Sequence, residues 1–271
     1  MKLPLLFLGL VALSACGDSG GGDPHIDAGA PNTIGSGAQI RAISDPTAPT
    51  HLASGTPVTL TAATTVIVDN FDETRNGKSA GTVYLQDFES NDPYSGISLF
   101  SPSYEPTDLH LGPGDAIDLT GTYQENNTIP VTFPPNEFLI QIAKPRVRLR
   151  FDYNPPTPKV IDVKDLGAYS TGRKWLSMLV TVNDITIPAG SSGLAGDGKG
   201  RYSAFITSAL STSSPTLTNE LFDLATWNQT SKAVVPGAHF KSITGLVTYF
   251  GFKGSFSQMH IAPRGPADLV Q

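Results

Sequence analysis

Six carboxylates fall in two short groups in the first half of the chain: Asp69, Asp72 and Glu73, then Asp87, Glu89 and Asp92. Loops of this kind can offer the roughly six to eight oxygen ligands that calcium takes. The spacing is not that of an EF-hand, so a weak calcium site competes with ordinary solvated turns. The histidines are His25, His51, His110, His239 and His260. None lies in a GxSxG elbow or an HExxH helix, so neither acyl transfer nor zinc hydrolysis has a local signature. His239 and His260 fall in predicted neighbouring strands of the second half. There they are either two ligands of one metal or separate hydrogen-bonded strand residues. His25 sits in a polar stretch with no partner in view.

The sharpest local pattern is Lys144, Pro145, Arg146, Val147, Arg148, Leu149, Arg150, Phe151. In a strand, side chains alternate between faces. Lys144, Arg146, Arg148 and Arg150 therefore share one face, and Val147, Leu149 and Phe151 point to the core. Cations in a row repel, so an acidic neighbour is expected. Asp118 or Glu125 on an adjacent strand would serve. The other reading is an external anion: lipid phosphate, a phosphorylated glycan or nucleic acid. Nucleic acid is disfavoured by net charge, −6 for the whole chain and −7 once Lys2 is removed with a leader, because phosphate contacts dominate that affinity.

Cys16 is the lone cysteine of 271 residues. It follows Lys2, a short apolar run from Leu3 to Leu13, and the small residues Ser14 and Ala15. The run suits a signal-peptide h-region and is shorter than the roughly 20 residues a spanning helix needs. Leu13-Ser14-Ala15-Cys16 resembles the bacterial lipobox. That resemblance implies cleavage after residue 15, acylation of Cys16, and a membrane partner reached through lipid. Two or three acyl chains anchor firmly where one is marginal, at about 0.8 kcal/mol per buried CH₂. Residues 16–38 are rich in Gly, Ala, Ser, Pro and Asp and read as a tether, with a span of roughly 26 Å.

The elements that must position these groups are strands. Charged residues make up 15% of the chain, too few for long solvated helices, and no helical or heptad period is present. Asn154-Pro-Pro-Thr-Pro158 is a stiff, extended break. It divides residues 39–153 from residues 159–271, each predicted to form five strands. The first set is 57–71, 80–88, 96–100, 111–126 and 137–151. The second is 174–187, 200–210, 219–224, 235–251 and 255–270. Pro113-Gly114 then Thr120-Gly121 matches Pro236-Gly237 then Thr244-Gly245, and Ile142-Ala143 matches Ile261-Ala262. The expectation is all-β: two tandem small five-stranded OB-like barrels, with an Ig-like β-sandwich as the alternative. Gly121 and Gly245 mark sharp bends. Residues 38–153 carry 7 Lys and Arg against 14 Asp and Glu, and residues 159–271 carry 10 against 7, so the halves should attract weakly.

AGTVYLQDFESNDPYSGISLF, followed by LGPGDAIDLTGTYQENNTIPV, resembles OB-fold modules of secreted and surface-attached bacterial proteins, often found beside extracellular nucleases. The matching elements are the LQD, GIxxF and GDxxxxTG patterns, with Ile40–Pro46 as lead-in. The second half lacks the LQD element, and no phosphoesterase domain follows, so nuclease activity is not carried over. Together these features predict a lipid-anchored envelope protein, at the outer membrane in preference to the inner. It would be a non-catalytic binding module for a glycan, a protein or an anionic polymer, with no cofactor beyond the calcium option. The reading from another class is a metal-dependent hydrolase or an accessory subunit of an extracellular nuclease.

Overall fold

The computed structural model describes residues 39–127, 133–207, 214–252 and 256–271. Cys16 and the tether lie outside them. The molecule is all-β, with two sheets that divide at the proline-rich segment. The first half holds β1 (Pro57–Val68), β2 (Val83–Gln86), β3 (Gly96–Phe100), β4 (Ser103–Glu105), β5 (Ala116–Asn126) and β6 (Leu139–Phe151). β1 pairs antiparallel with β2 and with β5. β2 pairs with β3, β3 runs parallel to β6, and β6 returns to β5. The pairings of five strands thus close into a ring. β4 adds a short parallel strand along the far part of β6.

The second half repeats that path. It contains β7 (Lys159–Ile161), β8 (Leu179–Thr186), β9 (Ala195–Gly196), β10 (Tyr202–Phe205), β11 (Thr216–Thr218), β12 (His239–Phe252), β13 (Phe256–Ala262) and β14 (Leu269–Val270). β8, β12, β13, β11 and β10 follow in the order of β1, β5, β6, β3 and β2, and β11 is parallel to β13 as β3 is to β6. One closure differs. Among the described residues β10 pairs with β9 and not with β8, while β7 runs along the other edge of β8.

The repeated glycines explain the matched motifs. A Cβ on Gly121 would stand 2.5 Å from the Ile142 Cγ2, and one on Gly245 would stand 2.6 Å from the Ile261 Cγ2. In each half the Thr-Gly pair leaves room for the Ile-Ala pair of the neighbouring strand. The LQD element also has a structural task. The lead-in forms α1 (Gln39–Ser44), whose first N–H groups need acceptors. Asp87 accepts from the Ile40 N–H at 2.7 Å and the Arg41 N–H at 3.0 Å. Gln86 reaches into the other half, where its Oε1 accepts from the Leu179 N–H at 3.2 Å.

One apolar cluster runs from Ile40 in the first half to Leu269 in the second. Ion pairs also cross between the halves: Arg75 with Asp223, Arg201 with Glu73, and Arg173 with Glu125. The expected strand at 219–224 is displaced. The strand is Thr216–Thr218, and Asp223 instead starts α2 (Leu224–Ser231), its carboxylate accepting from the Thr226 N–H at 2.9 Å. Asp favours this N-cap position because it satisfies an orphan helix donor.

Candidate functional site

The basic stripe lies along β6, whose register slips at Lys144–Pro145 and again at Arg150, and the protein supplies its counter-charges. Glu105, on β4, sits 3.7 Å from Arg146 and 3.1 Å from Arg148. Asp118 on β5 holds Arg150 at 3.0 Å and also accepts from the Ala62 N–H at a β-bulge. Glu125, the other expected partner, turns to Arg173 instead. Lys144 is exposed, at a left-handed φ of 48° that marks a kink in β6. The opposite face is less buried than alternation implies. Val147 is buried, but Leu149 and Phe151 emerge, and Phe151 meets Phe88 edge-on at 5.6 Å.

The six carboxylates of the first half do not converge. Asp87 caps α1. Asp72 closes its own loop, accepting from the Asn76 and Gly77 N–H groups at 3.1 and 2.6 Å. Glu89 accepts from the Tyr153 hydroxyl, and Asp92 pairs with Arg41 at 3.3 Å. Among the described residues no group of three or more His, Cys, Asp or Glu is arranged to hold a metal. His239 and His260 do not meet either. His239 stands opposite Thr186 and bonds Asp184 at 2.7 Å, whereas His260 stands opposite Thr248, far along β12.

Asp69 and Glu73 go elsewhere, into a cavity of about 680 Å³ between the two halves. β1 delivers Asp69 just past its end. β2 and β3 contribute Tyr84 and Phe100, and β6 contributes Gln141. The second half supplies Asp197, Arg201 and Tyr202 around β10, Thr218 and Glu220 at the end of β11, Tyr249 and Phe250 on β12, and His260 on β13. Glu220 is clamped. Its Oε1 lies 2.5 Å from the His260 Nδ1, and its Oε2 accepts from the Thr248 hydroxyl at 2.6 Å. The ring of Phe250 stacks on His260 at 6.0 Å. Arg201 donates from Nε to the Glu73 Oε1 at 2.8 Å, linking the halves at the rim.

Three buried polar atoms of the lining have no protein partner: the Asp69 Oδ1, the Glu73 Oε2 and the Thr218 hydroxyl. Such atoms are costly unless something else completes them. Burial, then the nearby charge of Glu220, pushes the Asp69 carboxyl up to about 7, against a hydrogen bond from the Phe71 backbone. Burial also raises Glu73 despite Arg201. Burial acts on Glu220 in the same sense, but the His260 charge and the hydrogen bonds of His260 and Thr248 outweigh it and hold Glu220 below its usual value. Near neutrality the cavity therefore offers a half-protonated carboxyl and a firmly ionised one, flanked by aromatic rings.

No family model matches the chain, and no curated protein matches it. The chemistry of the cavity thus rests on its own geometry. Glu220 and Tyr202 escape a sequence reading because they come from separate elements whose spacing forms no motif, and His260 enters it only as a partner of His239. The signal that was available is a lone charged residue, Glu220, one residue beyond the β-branched and apolar run Thr216-Leu217-Thr218.

Proposed function

We propose that the chain is a lipid-anchored envelope protein that binds a glycan, without transforming it, in the cavity between its two halves. The carrying observation is the make-up of that cavity. Tyr84, Tyr202 and Phe250 offer ring surface, and Asp69, Glu73, Asp197 and Glu220 offer carboxylates for hydrogen bonds. Sugars present apolar faces and many hydroxyls, which suits such a mixed wall. An anionic polymer fits less well, because Asp69, Glu73, Asp197 and Glu220 outnumber Arg201 and His260 there. The stripe on β6 is a weaker anion site, since Glu105 and Asp118 already neutralise much of it. Acylated Cys16 would hold the protein at the outer membrane, with the tether giving reach.

The test is glycan binding by the detergent-solubilised full chain and by Tyr202→Ala. Loss of an aromatic platform is expected to weaken binding by about tenfold, on the scale of about 0.5–1.5 kcal/mol for a ring contact plus its buried area. An unchanged affinity would remove the cavity from the proposal.

A second reading, a glycan hydrolase, is favoured by one observation: the Asp69 and Glu220 carboxyls are displaced in opposite directions, as an acid and a base would be. New reducing ends released from a bound glycan, and abolished in Glu220→Gln, would replace the binding reading with this one.

A further inference from the structure

We infer that the outer face of β6, at its Phe151 end, is the surface that lies against the bilayer holding Cys16. This rests on the lipid-anchored reading above and adds to it the face that meets the lipid. By strict alternation Phe151 shares the face of Val147 and Leu149. The register overrules this. Leu149 stands opposite Ile117 and Phe151 opposite Ala116, so two steps along β6 match one along β5, with Arg150 as the extra residue. Bulges re-aim side chains in this way. Phe151 turns to the face of Arg146, Arg148 and Arg150 and is 38% exposed. Tyr153, 43% exposed, and Phe88 join it. The ring centroid of Phe88 lies 5.6 Å from that of Phe151 and 4.9 Å from that of Tyr153, and the latter two are 6.2 Å apart. None of the three rings belongs to the apolar clusters of the interior.

The tether enters the fold beside these rings. Residues 16–38 lead to Gln39, and the first N–H groups of α1, those of Ile40 and Arg41, are bonded to the Asp87 carboxylate at 2.7 and 3.0 Å. Phe88 is the next residue. A leash with a span of roughly 26 Å thus starts close to the ring cluster, and acylated Cys16 keeps that side of the molecule nearest the lipid. The chemistry of the face suits a phospholipid surface. Aromatic rings favour the headgroup level, where apolar and polar surroundings meet. Arg150 spends only its Nη1 on the two Asp118 oxygens, and its side chain is half-exposed. The remaining nitrogens of its guanidinium fork match a lipid phosphate. Glu89 and Asp152, sequence neighbours of the rings, offset the arginines, so ring insertion leads and a neutral phosphatidylcholine surface is the partner.

The lipidated full chain, reconstituted in phosphatidylcholine vesicles that carry a headgroup nitroxide lipid, tests this. Acylation consumes the lone thiol of the chain, so an introduced cysteine takes a fluorophore selectively. Asn154→Cys places the label beside the rings without removing one, and Lys241→Cys places it on an exposed position of β12 in the second half. The label at 154 is expected to be quenched about threefold or more, because interfacial burial of roughly 5–10 Å brings it among the nitroxides, while the label at 241 stays unquenched. Adding Phe151→Ser and Tyr153→Ser to the Asn154→Cys chain should abolish the quenching, with melting curves reporting whether the fold is intact. If the label at 154 is unquenched, or quenched no more than that at 241, or still quenched in the serine variant, the inference falls and lipid anchoring stands, provided the chain floats with the vesicles. If mass spectrometry finds Cys16 unacylated, both fall together.

Discussion

Asp69 carries the clearest consequence at the scale of single residues. Its carboxyl sits at the edge of β1 with one oxygen unpaired and other carboxylates facing it: Glu73 on its own segment and Glu220 beyond β11. Arg201, His260, Asp197 and the phenols of Tyr84, Tyr202 and Tyr249 complete the charged and titratable lining. A folded-state value raised from 3.8 to about 7 means that the native state holds a proton the unfolded chain has released. Stability is therefore greatest below about pH 4 for this group and is lost as pH rises through 7. Asp87, raised to about 6 chiefly by burial, adds to the same fall. Asp69→Asn removes one contribution without changing size. Chemical denaturation should find this variant close to the parent near pH 3 and more stable by about 1–3 kcal/mol at pH 8, a fraction of the full linkage. A variant less stable at both pH values would show that Asp69 is held as a favourable anion.

At the scale of elements, the two halves solve one packing problem twice, and the solutions differ in slack. At Gly121 the nearest obstacle to a methyl group is the Ile142 Cγ2 at 2.5 Å, while backbone atoms stand at 3.1 Å or more. At Gly245 the Ile261 Cγ2 lies at 2.6 Å and the Ala262 carbonyl oxygen at 2.7 Å. The Ile methyl crowds both sites alike, because a buried β-branched side chain is stiff at χ1, but at Gly245 a carbonyl within a paired strand crowds the site as well. Overpacking of this kind costs about 1–3 kcal/mol. Gly245→Ala should therefore lower the melting temperature more than Gly121→Ala; equal losses would mean that the carbonyl adds nothing to the clash.

These elements also mark what sequence could convey. The Thr-Gly and Ile-Ala pairs, and the alternating cations of β6, are written within one or two strands. The order of strands and the faces of Arg146 and Arg148 could be read from them. Glu105 could not, because it arrives on β4, three residues whose pairing with β6 has no local period. The helical start at Asp223 was hidden by the strand-like Leu221-Phe222 pair just before it. The cavity was hidden further still, since its carboxylates come from positions 69, 73 and 220 and meet only when the halves dock.

At the scale of the whole molecule, an extended proline segment suggests two bodies that move apart, whereas the packing argues for one. Gly96 lies so close to the second half that a Cβ there would strike the Leu176 carbonyl at 2.2 Å. The Tyr94 N–H donates to the Lys174 carbonyl at 2.6 Å. Arg173 donates to Glu125 at 2.7 Å with its guanidinium 4.5 Å from the Phe138 ring, and its side chain is only 14% exposed. Heating should give a single calorimetric transition; two resolved peaks would mean that the halves are independent. The proposed envelope attachment belongs to the same scale and is tested through Cys16. Cys16→Ser should move the protein from membrane to soluble fractions with its melting temperature unchanged, and persistence in the membrane fraction would contradict lipid anchoring.

The docked halves make one further demand, on Arg173. Removing it leaves the Glu125 carboxylate with the Tyr123 hydroxyl at 3.2 Å and His51 at 3.7 Å, and strips a cation from an aromatic face. Breaking a largely buried pair from one side costs about 3–5 kcal/mol, and partial exposure of Glu125 lowers that to about 2–3 kcal/mol. Because Arg173 and Glu125 lie on opposite sides of the boundary, the loss falls on docking and not on either sheet alone. Arg173→Ala should therefore shift the whole transition and also weaken ligand binding in a cavity the substitution does not touch. Arg173→Gln,Glu125→Gln, which keeps a neutral hydrogen bond, should recover part of both. If Arg173→Ala lowered stability but left ligand affinity at the parental value, the cavity would not depend on how the halves are held together.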